Sequence, residues 1–471
     1  MKKFFGSVNP RFYIFFSGIL LGFTVIFAKL GIFAYLVLVP LGVALFKKFN
    51  SEKYSSKKAY IDGFIFYMSY DLVCFHWFIY FYPLEFAGFN DFESIAIIFI
   101  AWVGLSFLQS VFSALVFVLL FKVSKSTFCK QNKVAMPFFA AALWSVNEWT
   151  QTFTWAGVPW SRIAISQTEM PIMMQPASLF GSYFLTFIIV LFNFLIAYAI
   201  AYPERRKTVF HGAVCMLAVY MSIGSALYFI PTKDEDRYIS FASVQANLEA
   251  QTSYHMSISE MYEIHERQTR LAAEEGAEVV LWSEGAFAVD IDYKFIYGSK
   301  LESLNKRVAE LSEELGITII IGTYVEIDKK NYNSMSVFYP NGESIVNAQA
   351  KMKPVPFGEY LPMRDFIKAV VPILAEINFF GSDVFPGEKH TPFDSSKDEN
   401  SLKIGALICF DSIYEGTAMG SAKAGAEVFI IPSNDSWFYD SRALNIHHSQ
   451  NALRAVEQGK YTVNCGSTGI T

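Results

Sequence analysis

Residues 1–231 carry more apolar side chain than a water-soluble fold of that size can hide. Long runs free of charge recur, and short basic stretches separate them. A hydrocarbon layer tolerates only backbone that satisfies its own hydrogen bonds, so such runs are expected as helices. Seven spans are read: about 12–27, 30–46, 60–82, 94–121, 134–148, 172–202 and 209–230. The first is also compatible with a signal peptide, given Lys2 and Lys3 ahead of it. Against that, no Ala-x-Ala site follows, and a second apolar run begins at once. The connections divide sharply in charge. The N-terminus and alternate loops hold 15 Lys and Arg residues, and the opposite set holds 2. Positive loops stay in the cytoplasm. The N-terminus is therefore expected inside, and an odd number of spans puts everything after Ile230 outside. Asp71, within the third run, is an intramembrane carboxylate, expected either in a cavity or in a packed hydrogen bond.

Composition supports this reading. Hydrophobic residues make up 53% of the 471 and the mean hydropathy is +0.31, too apolar for an ordinary soluble enzyme. A formal charge of −5 gives no footprint for nucleic acid. Five cysteines (74, 129, 215, 409 and 465) are irregularly spaced, without CxxC or HExxH motifs. Neither a disulfide framework, a metal nor a nucleotide cofactor is implied. The His447-His448 pair reads as a helix-surface feature.

After the charged stretch 232–237 the pattern changes to alternating strands and helices. Strands are expected at 238–245, 279–282, 318–322, 334–339, 404–408 and 428–431. Helices are expected at 257–275, 300–315 and 445–458. This is an α/β layered domain, 232–471, following a helical membrane domain, 1–231. An apolar segment, Phe366 to Leu374 with Phe379-Phe380-Gly381 beyond it, reads equally as a core helix or as a lid dipping into the membrane.

Three segments of the second domain place reactive side chains at strand ends. Val279-Val-Leu-Trp-Ser-Glu284 ends on a carboxylate. Ala350-Lys351-Met-Lys-Pro-Val-Pro-Phe-Gly-Glu359-Tyr supplies a lysine and a second carboxylate. Ile404-Gly-Ala-Leu-Ile-Cys409-Phe-Asp411 ends on a cysteine. Each alone has an ordinary explanation: a helix cap, a solvated lysine with Lys353 as a competitor, a small buried thiol. Together they hold what a thiol nucleophile needs, a base and a cation.

The order Glu284, Lys351, Cys409 resembles the signature of the nitrilase superfamily. The run Pro356-Phe-Gly-Glu-Tyr-Leu-Pro362 resembles its membrane-embedded branch, the apolipoprotein N-acyltransferases. The element Glu148-Trp…Trp155-Ala-Gly-Val-Pro-Trp160 is similar to one in that family's membrane half. Ser433-Asn-Asp-Ser-Trp437-Phe and Arg454-Ala-Val-Glu457 are similar to later elements. The resemblance implies an αββα sandwich fused to a membrane helical bundle. It implies Glu284 as general base, Lys351 as oxyanion partner and Cys409 as acyl carrier, with Glu359 and Asp411 in support. Trp155, Trp160 and Trp437 are assigned to substrate binding. The implied reaction moves an acyl chain from a membrane phospholipid to the N-terminal amine of diacylglyceryl-cysteine in apolipoproteins. The implied location is a bacterial plasma (inner) membrane, with the catalytic domain on the periplasmic face. Alternatives are a membrane-tethered amidase-like hydrolase and a non-catalytic lipid-binding scaffold. Three positions depart from the family pattern: Asp411 replaces Glu, Gln349 replaces Tyr and Pro354 replaces Leu. Ser467 to Thr471 matches the entry of a further strand, and the family continues beyond it with more strands and a last span. A truncated C-terminus is therefore expected.

Overall fold

The computed structural model describes residues 9–85, 88–230, 237–248, 256–287, 298–370 and 383–471. Two compact units emerge: Met1–Pro83 with Asn90–Thr232, and Leu84–Phe89 with Lys233–Thr471. The charged stretch 232–237 lies outside the described residues except for Arg237. So does most of the apolar segment after Phe366, of which only the Arg364–Val370 helix is described.

The elements described in the first unit are all helices. Four stretches among the described residues are long and apolar enough to cross a membrane: Ala28–Phe49, Asp91–Ser124, Ser182–Ala201 and Pro203–Phe229. Three further expected spans are helices of another kind. Pro10–Ile26 has 17 residues and Met136–Thr150 has 15. Ser56–Cys74 contains Lys57, Lys58, Asp62 and Asp71. The run expected at 172–202 starts as a helix only at Ser182. Gly181, at φ +75°, breaks it from the short turns Pro171–Met174 and Ala177–Phe180.

The carboxylates inside this unit are paired, as an apolar surround requires. Ser110 donates to Asp71 at 3.3 Å. Asp62 accepts from Arg11 at 3.1 Å, Lys48 at 2.5 Å and Tyr54 at 2.7 Å. Glu148 is buried; its carboxylate accepts from the Ile163 N–H at 2.9 Å and the Thr186 hydroxyl at 2.7 Å.

The second unit contains two sheets. The first has the order β1 (Phe241–Val244), β2 (Val279–Trp282), β3 (Thr318–Ile327), β4 (Lys330–Phe338), β5 (Ser344–Ala350). β1, β2 and β3 are parallel, and β3, β4 and β5 antiparallel. The second sheet runs β6 (Phe393–Asp394), β7 (Lys403–Ala406), β8 (Val428–Ser433), β9 (Tyr461–Gly466). β6 is antiparallel to β7, and the other pairs are parallel.

Alternation along each strand sorts its side chains between two faces. In β2, Val279 and Leu281 join Ile404, Ala406, Val428 and Ile430 from the opposite sheet. Val280 and Trp282 point the other way, onto Met261, Tyr262, Leu304, Val308 and Leu311. Those residues belong to the helices Ile258–Glu274 and Gly298–Leu315. The helix Glu415–Lys423 packs Ala418 against Leu407, Phe429 and Ile431 on the far face of the second sheet. The layers are therefore helix, sheet, sheet, helix. The run Val279–Trp282 is apolar at every position because both of its faces are buried. The Ile258–Glu274 helix starts at a capping box, where the Ser257 hydroxyl accepts from the Glu260 N–H and the Glu260 carboxylate accepts from the Ser257 N–H.

Four elements escaped the sequence reading: β5, β6, β9 and the Glu415–Lys423 helix. β5 is Ser-Ile-Val-Asn-Ala-Gln-Ala, and its outward half is exposed, so it lacks an apolar signal. The strand entry expected at Ser467 falls earlier, at Tyr461–Gly466. Beyond Gly466 the chain bends, with Gly469 at φ +76°.

Gly322 of β3 faces the end of β2. A Cβ there would lie 2.4 Å from the Ser283 carbonyl oxygen and 2.7 Å from the Glu284 Cα. Backbone cannot swing aside as a side chain can. Gly322→Ala is expected to cost on the order of 1–3 kcal/mol, read as a lowered thermal midpoint of the detergent-purified chain. An unchanged midpoint would mean that β3 shifts freely against β2.

Candidate active site

The carboxyl ends of β2, β5, β7 and β8 converge, as strand ends do at the sites of α/β sheets. Glu284 lies two residues past β2, and Lys351 directly follows β5. Cys409 opens a short 3₁₀ turn, Cys409–Ile413, just past β7. Its backbone sits at φ +48°, a left-handed conformation costly for a side chain with a Cβ.

Lys351 is the centre of the cluster. Its ammonium lies 2.8 Å from Glu284 Oε1 and 2.9 Å from Glu359 Oε2. All three side chains are buried, with Lys351 only 1% exposed. Asn333 of β4 bridges the two acids: its amide donates to Glu284 Oε1 and Glu359 Oε1, both at 2.7 Å. Each carboxylate also accepts from backbone. Glu284 Oε2 takes the Asn434 N–H at 2.8 Å, and Glu359 Oε2 takes the Val355 N–H at 2.7 Å. The Cys409 thiol lies within electrostatic reach of the Glu284 carboxylate and the Lys351 ammonium.

Burial works against the charge on each group, and the partners decide the outcome. Burial would raise Glu284, yet Lys351, the Asn434 N–H and the Asn333 amide hold its carboxyl below the ordinary range. Burial would lower Lys351, yet the charges of Glu284 and Glu359 hold it well above its ordinary value. Burial pushes the Cys409 thiol up, Glu284 adds to the rise and Lys351 opposes it. The resting site thus holds a neutral thiol beside an ionised Glu284.

Asp411 sits beneath the turn. Its carboxylate accepts from three backbone N–H groups: Lys353 at 2.7 Å, Met352 at 3.1 Å and Ile408 at 3.2 Å. Burial pushes its carboxyl up to about 7 against the pull of Lys351 and these donors. The clamp ties the Lys351 segment to the Cys409 strand end.

The sequence reading missed two features here. Asn333 is one; a buried amide in the middle of a strand is uncommon, and that was the available signal. The other corrects the reading of His447 as a surface residue. His447 is buried on the inner face of the Ala443–Gln458 helix. Its Nδ1 lies 2.9 Å from Asp435 Oδ1. The Cys409 sulfur, an Asp435 oxygen and a His447 ring nitrogen all lie within 4.8 Å of one another. The packing of that helix against the turn could not be read from local pattern. The three tryptophans divide between the units. Trp155 is half-buried, and Trp160 is buried with its ring 5.4 Å from that of Trp77, both in the first unit. Trp437 is half-buried in the Asp435–Phe438 turn of the second.

Comparison with known proteins assigns the class first. Residues 240–471 match the Carbon-nitrogen hydrolase family model. Residues 17–195 match the Apolipoprotein N-acyltransferase N-terminal domain. With both domains in one chain, the protein belongs to the apolipoprotein N-acyltransferase family within the carbon–nitrogen hydrolase (nitrilase) superfamily. An apolipoprotein N-acyltransferase of Geobacter metallireducens is 27% identical over 70% of this chain and 62% of its own length. That of Gloeobacter violaceus is 24% identical over 94% of this chain and 79% of its own. The chain thus spans less than two thirds of the first relative's length. Among solved structures, an amidase from Nesterenkonia sp. is 15% identical, covering 49% of this chain and 77% of that one, with a TM-score of 0.35.

Replacing Lys351 by Met leaves two buried carboxylates without a counter-charge. We expect a loss of about 3–5 kcal/mol, as for other broken buried pairs, and partial recovery when Glu284→Gln is added. A denaturation series on the purified chain and its two variants measures both. Because Glu284 is held below the ordinary range, the unfolded chain takes up its proton first as pH falls. Wild-type stability should therefore drop below about pH 4.5, and less so in the double variant.

Proposed function

We propose that this chain transfers an acyl chain from a membrane phospholipid, through a thioester on Cys409, to the α-amine of a diacylglyceryl-cysteine at a lipoprotein N-terminus. The carrying observation is that one buried ammonium, Lys351, is shared by Glu284 and Glu359, with the Cys409 thiol within electrostatic reach of both Glu284 and Lys351. The names of the curated relatives supply the reaction class.

In this reading Glu284 takes the thiol proton as the sulfur attacks the ester carbonyl. The developing oxyanion meets Lys351 and the backbone N–H after Cys409. Glu284 returns the proton to the departing lysophospholipid alcohol, leaving the thioester. It then takes a proton from the incoming amine, an amide forms, and the Cys409 thiol is restored. Glu359 orients Lys351, and Asp411 fixes the turn that carries Cys409. Trp155, Trp160 and Trp437 would contact substrate.

The membrane arrangement belongs to the same proposal. Residues 1–231 form a helical bundle of seven spans, with the N-terminus cytoplasmic. Residues 232–471 form the catalytic domain on the outer face of a bacterial inner membrane. The four long apolar helices and the loop-charge asymmetry support it. A reporter fused after Arg237 should be active only outside the cytoplasm. Activity inside would remove the acceptor from reach and overturn the assignment.

Transfer of a labelled acyl chain from phospholipid to a diacylglyceryl-cysteine peptide tests the chemistry. Cys409→Ala and Glu284→Gln should abolish it, and Lys351→Ala should cost about 3 kcal/mol or more of transition-state stabilisation. Retained transfer in Cys409→Ala sinks the mechanism. Rapid release of free fatty acid by the wild type, with none reaching amine, would favour a hydrolase. Lipid binding without any thioester would favour a scaffold.

A further inference from the structure

The reaction above uses Glu284, Lys351 and Cys409 and leaves Asp435 and His447 without a task. Both are buried, and both lie within reach of the nucleophile. Asp435 comes from the 3₁₀ turn after β8, and His447 from the Ala443–Gln458 helix. Two separate elements thus bring an acid and an imidazole to one sulfur.

The partners of the imidazole bear on where its protons sit. Nδ1 lies 2.9 Å from Asp435 Oδ1, an oxygen that accepts. Nε2 lies 3.2 Å from the Cys409 carbonyl oxygen, which can only accept, and 3.1 Å from the Ser412 hydroxyl. Ser412 already donates to that same Cys409 oxygen at 2.9 Å. A neutral ring with a bare Nε2 would compete with the carbonyl for the single Ser412 proton. A ring carrying hydrogen on both nitrogens satisfies every partner. We propose that His447, held by Asp435, is a positioning residue for Cys409: as an imidazolium it donates to the Cys409 carbonyl, holds the nucleophile's peptide in its left-handed turn, and sets a second positive charge beside the thiol.

The left-handed φ of Cys409 needs a restraint, because a residue with a Cβ does not stay there unaided. The Nε2 donor grips the carbonyl of that very residue. The charge matters because Glu284 and Asp435 both disfavour the thiolate, whereas Lys351 favours it. Lys351 is already shared by two carboxylates. Burial alone would lower His447, but Asp435, the Cys409 carbonyl and Glu284 outweigh it and raise its pKa. The charged groups around the sulfur are therefore Glu284 beyond β2, Lys351 beyond β5, Asp435 beyond β8, and His447. Asp411 lies beneath the same turn. Arg454, two turns further along the His447 helix, reaches the Ser412 and Ile413 carbonyls at 3.5 and 3.4 Å and pairs with the buried Glu457 carboxylate at 2.7 Å.

This inference rests on Cys409 being the nucleophile, but its test does not use acyl transfer. Full-length protein in detergent is alkylated with iodoacetamide across pH, and peptide mass spectrometry follows Cys409 apart from Cys74, Cys129, Cys215 and Cys465. His447→Gln keeps an N–H donor near the carbonyl and removes the charge. The pH midpoint of Cys409 alkylation should rise by about one unit or more, and His447→Ala should add a lower thermal midpoint. A His447→Gln profile overlying the wild type would overturn the proposal. Should the variants fail to fold, ring ¹⁵N spectra of the wild type decide alone. One histidine should remain doubly protonated at pH 7.5, and none doing so would equally overturn it. A wild type inactive in acyl transfer, yet with the expected alkylation shift, would refute the proposed reaction and leave this inference standing.

Discussion

One ammonium ion, 1% exposed, governs the second unit. A buried lysine is stable only if its charge is met, and Lys351 is met twice, by Glu284 and by Glu359. Those acids in turn need further donors, which Asn333 and the Asn434 and Val355 N–H groups supply. Four segments of the chain are thereby required to arrive at one point. The two sheets, packed through Leu281, Ile320, Ile404 and Ile430, bring them there. The ion cluster is costly in isolation. It is sustained by the apolar interface between the two sheets.

Legibility followed the range of the interactions. Glu284 and Cys409 were readable because each ends a short apolar strand, and a reactive group at such a strand end is conspicuous. Glu359 and Lys351 were readable through the Pro-Phe-Gly-Glu-Tyr run. Asn333 and the Asp435–His447 pair were not. Their partners lie far along the chain: Asn333 meets Glu284 across 49 residues, and His447 meets Cys409 across 38. Nothing in the local pattern of the Ala443–Gln458 helix distinguishes the inward His447 from its neighbour His448. The partner surface alone makes that choice.

In the first unit the apolar runs marked helices correctly but not their interruptions. Gly181 splits the expected sixth run. The expected third run changes from α-helix to 3₁₀ after Cys74. Hydropathy registers how apolar a stretch is, whereas helix continuity depends on a backbone angle at one residue. The carboxylates there carry the same lesson. Glu148 lies at a site whose donors, Ile163 and Thr186, come from two other segments.

The Asp411 clamp has a mechanical side. Its carboxylate grips the strand end at Ile408 and, at the same time, the 352–353 backbone next to the lysine. Nucleophile and cation are therefore mounted on a single bracket. If the turn bearing Cys409 rocks to admit a bulky chain, Lys351 travels with it, and their separation is preserved through the movement. Any room for a bulky ligand would have to be made elsewhere, by segments that the bracket does not hold.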